Sequence, residues 1–282
     1  MTVKIISDST CDLSRDLLEK YKIEIVPLTV TFGDRSGHDG IDITPEDIYA
    51  YVEKTGDLSK TSAVSVGEYK EVFQKWHDQG YEIVHFCISK KLSVSYQNAC
   101  IAAEEVGGVY PIDSANLSTG QGHLVLYAAE MAEQGFSAQE ITSSCEKLAP
   151  RIEASFVADS IEYLRKGGRC SALAALGANL LHIKPCIEVI DGGMKPGKKY
   201  HGKINHVIRS YVEDRLKNRH DIELHRIFIT HTRCDQQVVD DVRTMIQYYC
   251  PDMKEIIETT AGATITTHCG PGTLGILFIR KE

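Results

Sequence analysis

Short hydroxyl-rich runs recur along the chain: SDSTCDLS at 7–14, KTSAVSVG at 60–67, SKKLSVSYQ at 89–97 and SANLSTGQG at 114–122. One such run caps a helix or fills a turn, because Ser and Thr oxygens accept from nearby backbone N–H groups. Four of them at one sheet edge, with helix N-termini among them, present donors to a single anion. Two further segments carry groups that suit such a site. YLRKGGRCS places Arg169 beyond a pair of glycines, where a planar guanidinium can pair with a carboxylate or phosphate. Arg165 and Lys166 precede the glycines and fit a helix end, with Gly167 as its left-handed cap. THCGPGTLG sets His268 just before Gly270, Pro271 and Gly272.

Other chemistries fit less well. GPGTLG satisfies the G-x-G-x-x-G pattern of a dinucleotide-binding turn, which needs a following helix and an acidic residue about 20 positions on. Only residues 276–282 remain after it, and ILFIRKE reads as a strand. His268 beside Cys269 suggests a base and a nucleophile, yet adjacent residues seldom face each other and cysteine is commonly a small buried hydrophobe. No G-x-S-x-G elbow surrounds Ser93, and no phosphate-binding G-x-x-x-x-G-K-[ST] loop is present. The 9 cysteines form no C-x-x-C pair, which suits free thiols in a reducing compartment. His85/Cys87 and His268/Cys269 cannot by themselves complete a four-ligand zinc shell, so no metal is expected.

Composition narrows the partners. A formal net charge of -8 argues against a nucleic-acid backbone binder. No apolar run reaches the roughly 18 residues that span a bilayer, and MTVKIISDST lacks signal-peptide architecture, so a cytoplasmic protein is expected.

The elements that must position these residues alternate in βαβ fashion. VKIIS, IEIVPLTVTF, YEIVHFCIS and VYPIDS read as strands; SRDLLEKY, GEYKEVFQKWHDQ, VSYQNACIAAEEV and the stretch around LVLYAAEMAEQ read as helices. Ser137 and Glu140 form a capping box before another helix, and Thr44-Pro45 marks a helix start inside a polar excursion at about 34–60. After Pro150 the pattern changes to IEASFVAD, CIEVID, HRIFITH, KEIIETT and TLGILFIRK as strands. SALAALGANLLHI, HVIRSYVEDRLKN and VVDDVRTMIQYY read as helices, and Asp191-Gly-Gly193 as a hairpin turn. The expected architecture is α/β with two domains: a parallel-sheet domain over 1–152, and a smaller one with a mixed sheet over 153–282.

DSTCDL, TSAVS, KLSVSYQNA, IDSANLSTGQG, YLRKGGRCS with ALGANLLHIKPCIEVIDGG, and THCGPGTLGI together resemble the DegV family of bacterial fatty-acid-binding proteins, over nearly the whole chain. The resemblance implies a two-domain carrier that buries a long acyl tail and holds the carboxylate at the domain junction. Such a carrier presents the fatty acid to the ATP-binding subunit of a separate fatty acid kinase, and the acyl-phosphate goes towards phospholipid synthesis. It implies Thr61, Ser62, Ser93, Arg169 and His268 as head-group residues, with Gly270 and Gly272 shaping the loop that places His268. No cofactor beyond the bound fatty acid is implied. His201, in Lys199-Tyr-His201-Gly202, stands where the family usually carries an arginine facing the kinase. The alternatives are a serine-dependent hydrolase using Ser93 with His268, or a carrier of another apolar carboxylate.

Overall fold

A computed structural model describes residues 2–170 and 183–282. The helix expected in SALAALGANLLHI lies outside the described residues but for its last position. In the N-terminal region, β1 (Thr2–Asp8), β2 (Glu24–Val26), β6 (Tyr81–Cys87) and β7 (Val109–Asp113) form a parallel sheet of order β2-β1-β6-β7. Its central strands are apolar on both faces, as a parallel sheet covered on both sides requires. Ile6, Ile83 and Cys87 pack under α3 (Val66–His77) and α4 (Ser95–Val106), and Ile5, Val84 and Phe86 pack under α5 (Ser118–Glu133) and α6 (Ala138–Leu148).

IEIVPLTVTF does not form one strand. Pro27 interrupts it, and β3 (Thr29–Phe32) joins a separate antiparallel sheet with β4 (Arg35–His38) and β5 (Lys60–Ser62), in the order β4-β3-β5. Proline has no N–H for a ladder, and the next amide, Leu28 N, donates to Ser9 Oγ instead. The polar excursion is therefore a small folded unit. It contains α2 (Pro45–Thr55), which starts at Thr44 in a full capping box with Asp47.

The C-terminal region is a six-stranded mixed sheet of order β10-β9-β8-β13-β11-β12. Its strands are β8 (Ile152–Val157), β9 (Ile183–Ile190), β10 (Gly193–His201), β11 (Ile222–Thr232), β12 (Glu255–Thr260) and β13 (Thr273–Arg280). Only β11 and β12 run parallel. β10 is absent from the sequence reading because Pro196, Gly197 and its lysines look like loop; a register shift between Pro196 and Lys199 accommodates them at the sheet edge. The Asp191-Gly192 turn takes φ of 52° and 78°, as a tight hairpin between right-twisting strands needs.

The two sheets share one core through α5. Twelve of its 16 residues are buried, and Leu124, Val125 and Ala128 belong to a cluster that joins Ile5 and Phe86 of the first sheet to Ala154, Phe228 and Leu277 of the second. A helix that is buried all round must be a middle layer. The other face of the second sheet packs on α8 (Ile204–Leu216) and α9 (Gln236–Tyr249) through Tyr211, Val212, Val239 and Val242 against Ile229, Ile276 and Phe278. The result is a helix–sheet–helix–sheet–helix stack. Among the described residues no helix is long and apolar enough to cross a membrane. Leu124→Ala should cost about 2 to 5 kcal/mol of stability in a urea melt, because the void opens between two sheets that cannot both relax into it.

Candidate functional site

The hydroxyl-rich runs divide into those that lock the interior and those that face a cavity. In the first run, Thr10 Oγ1 donates to Gln121 Oε1 at 2.9 Å and Ser9 Oγ donates to Asp39 Oδ2 at 2.9 Å. In the last, Ser118 Oγ donates to Asp12 Oδ2 at 2.5 Å and Thr119 pairs with Thr230 at 2.6 Å. These groups hold elements together. The middle two runs are different: Ser65 caps α3 with Glu68, but Thr61, Ser62 and Ser93 line one cavity together with Arg169 and His268. All five residues expected at the head group thus converge, although the chain brings them from a strand, two loops and a helix.

The helix is α10 (Ala263–Cys269), followed directly by a turn and β13. Sequence reasoning missed it, since Thr264, Ile265, Thr266 and Thr267 are β-branched and favour strands. Its first turn is held from elsewhere in the chain. Gly262 N donates to Asp12 Oδ1 at 2.8 Å, Ala263 N to Asp39 Oδ1 at 2.7 Å and Thr264 N to Asp39 Oδ2 at 3.2 Å. Burial, reinforced by the nearby Asp39, pushes the Asp12 carboxyl up to about 8, against the opposing pull of the bonds from Ser118 and Gly262. Nothing in the spacing of the sequence pairs Asp12 or Asp39 with residue 262.

At the other end of α10, His268 Nε2 lies 2.8 Å from Thr61 Oγ1. Its Nδ1 is buried without a partner, against Gly167, where a Cβ would approach within 2.5 Å. A proton on Nδ1 would be an orphaned donor, so the proton belongs on Nε2. Nε2–H then donates to Thr61, and the Thr61 hydroxyl keeps its own proton for a ligand. Gly167 is the last residue of α7 (Glu162–Gly167) and the left-handed cap is Gly168, at φ 70°, so the glycine pair serves a close approach and a cap in turn. Arg169 is exposed and donates from Nη1 to Gly167 O at 2.7 Å.

Gly270 and Gly272 do not line the cavity. They end α10 at φ of 70° and 71°, Gly270 packs on the Tyr163 ring, and Gly272 N donates to Thr232 O at 2.8 Å. The GPGTLG pattern is therefore a helix-to-strand turn. Behind the cavity lined by the five converging residues, which holds about 50 Å³, lies a second of about 30 Å³ against Phe156, Val189 and Leu277. Leu117, Ile265 and Cys269 border both.

Several chemistries fail on this geometry. Ser93 Oγ pairs with Ser95 Oγ at 2.8 Å while His268 Nε2 is engaged by Thr61, so the proposed base does not meet the serine. Burial pushes the Cys269 thiol up to about 12, where it stays protonated. Asp8, His85 and Cys87 lie close enough to hold an ion, yet Asp8 already accepts from Tyr69 Oη at 2.6 Å, His85 Nε2 at 3.1 Å and Ile88 N at 3.0 Å. That is a hydrogen-bonded hub tying β1, α3 and β6. His201 is exposed at the end of β10, on the rim of a separate open depression of about 660 Å³ with Lys184, Lys203 and Asn205.

The pattern of the DegV family, described as that of an uncharacterised protein, matches residues 2–281. The chain belongs to the DegV family. It is 32% identical over 282 residues to a DegV domain-containing protein of Caldanaerobacter subterraneus, covering 99% of each chain. Among solved structures it is similar to a fatty-acid-binding DegV family protein of Thermus thermophilus (TM-score 0.87, 27% identity, 99% of this chain and 100% of the other). A stearic-acid-binding protein of Eubacterium ventriosum is similar too (TM-score 0.84, 28% identity, 99% and 98%).

Burial is the main reason that the His268 imidazole falls from the usual 6.5 to about 4, with the Arg169 charge adding to it. An unfolded chain takes this proton near pH 6.5, so the His268 contribution to stability is complete above 6.5 and is lost as the pH falls towards 4. Ring titration by NMR of the ligand-free DegV protein should place the His268 midpoint near 4, and an ordinary midpoint would contradict the buried neutral form.

Proposed function

We propose that this DegV chain binds a long-chain fatty acid, with the carboxylate among Thr61, Ser62, Ser93, Arg169 and His268 and the tail running past Leu117, Ile265 and Cys269. The observation that carries the reading is the convergence of those five polar residues on one cavity with an apolar cavity directly behind it. Fatty-acid binding by the two similar solved proteins supports it. So does the chemistry. Tail burial contributes about 0.8 kcal/mol per CH₂, but only if the carboxylate is not left dry and unpaired. Hydroxyl donors, among them a Thr61 that the neutral His268 Nε2–H leaves free to donate, and an exposed arginine meet that need, with no carboxylate side chain among the lining residues to repel the ligand.

The same reading makes the chain a cytoplasmic carrier rather than an enzyme, with the ligand head at the junction of units spanning 1–152 and 153–282. Its acid would be presented to the ATP-binding subunit of a fatty acid kinase, and the acyl-phosphate would pass to phospholipid synthesis. What favours a partner that reacts at the carboxylate is the exposure of Ser62 and Arg169, which line the same cavity as the buried His268. Hydroxyl donors also leave an oxygen lone pair free to attack a γ-phosphate. His201 would face that partner from the depression it shares with Lys184 and Lys203.

Native mass spectrometry of the purified protein should show a long-chain fatty acid, and Thr61→Ala, Ser93→Ala and His268→Ala should each weaken acid binding by about 1 to 3 kcal/mol. Equal losses for the matching fatty alcohol would remove the head-group assignment. His201→Arg should raise acyl-phosphate formation with a partner kinase and leave fatty acid affinity unchanged, because only the arginine supplies a permanent charge. Equal rates for both proteins would take His201 out of the partner surface.

A further inference from the structure

We infer that Thr264 supplies a further hydrogen bond to the carboxylate in the head-group cavity. This rests on the fatty-acid reading above and adds a residue that the motifs do not assign. Thr264 is 3% exposed, and its Oγ1 is a buried hydroxyl without a hydrogen-bond partner. Such a group is destabilising until something supplies the missing bond. Thr264 lines the same cavity as Thr61, Ser93 and His268.

The helix explains why. Thr264 and His268 stand four apart on α10, on one face and one turn from each other. A helical side chain leans towards the N-terminus of its own helix, so the imidazole reaches back over the turn that carries Thr264. Ile265 and Cys269 form the adjoining stripe and line the cavity as well. The other faces are occupied: Thr267 pairs with Ser59 at 2.8 Å, and Ala263 joins Val30, Ile43 and Ile48. The Thr264 hydroxyl is thus set on the ligand-facing stripe with its proton uncommitted. A carboxylate only accepts, and its two oxygens have room for donors beyond Thr61 and Ser93.

Isothermal titration of stearic acid and of octadecan-1-ol into the full-length protein tests this, with Thr264→Val and Thr264→Ser beside the wild type. Val keeps the shape and removes the hydroxyl, and Ser keeps the hydroxyl. Thr264→Val should weaken stearic acid binding about ten-fold and leave octadecan-1-ol unchanged, while Thr264→Ser keeps the affinity for the acid. Undiminished stearic acid affinity in Thr264→Val, or equal losses for acid and alcohol, overturns the assignment. Wild-type protein that takes up neither ligand overturns the fatty-acid reading, and the inference with it, before any variant is compared.

Discussion

Two carboxylates hold the first turn of α10, and the geometry of the cavity follows from that grip. A seven-residue helix rich in β-branched side chains would not persist by its own propensity. Asp12 and Asp39 take the N–H groups of Gly262, Ala263 and Thr264 across sequence separations of 224 to 250 residues. Each carboxylate is in turn steadied by a hydroxyl, Ser118 on Asp12 and Ser9 on Asp39. Favourable charge at a helix N-terminus adds to the bonds, but burial above all, with a smaller repulsion from Asp39, keeps the proton on Asp12 to high pH. The small sheet that carries Thr61 and the helix that carries His268 are thereby set against each other, with Ser59–Thr267 as a further tie.

A second polar layer sits where α5 enters between the sheets. Gln121 Nε2 donates to Ser7 Oγ and Phe86 O on the first sheet, while Thr119 pairs with Thr230 and His123 Nε2 donates to Leu277 O on the second. Apolar contacts alone would tolerate a slide of one sheet past the other. A buried network that is complete in one register and broken in the next does not. The burial that keeps His123 neutral, with a pKa lowered to about 3, suits its role as a donor to a carbonyl.

Much of this architecture was legible because its signals are local. Thr44 and Ser137 mark helix starts, and the apolar runs of β1, β6 and β13 mark strands buried on both faces. Five of the residues that line the cavity between β5 and α10 were picked out as motifs by resemblance. β10 and α10 were not: the first carries Pro196, Gly197 and lysines at a sheet edge, and the second carries strand-forming residues held helical by distant acids. Asp12 and Asp39 escaped for the same reason, since their bonds to α10 exist only once remote segments meet, and so did the place of Thr264 in the cavity wall. The break at Pro27 had a plain local cause, but the apolar residues on either side of it outweighed that cause in the reading.

The partition between the two small cavities bears on how the molecule would take up heat and order. Leu117, Ile265 and Cys269 border both, so the tail of the proposed ligand would have to exchange places with side chains to run from one to the other. Entry into a dry, tight apolar space draws on dispersion enthalpy more than on released water. Loading of the proposed ligand would then resemble a repacking of the interior, with heat released at room temperature.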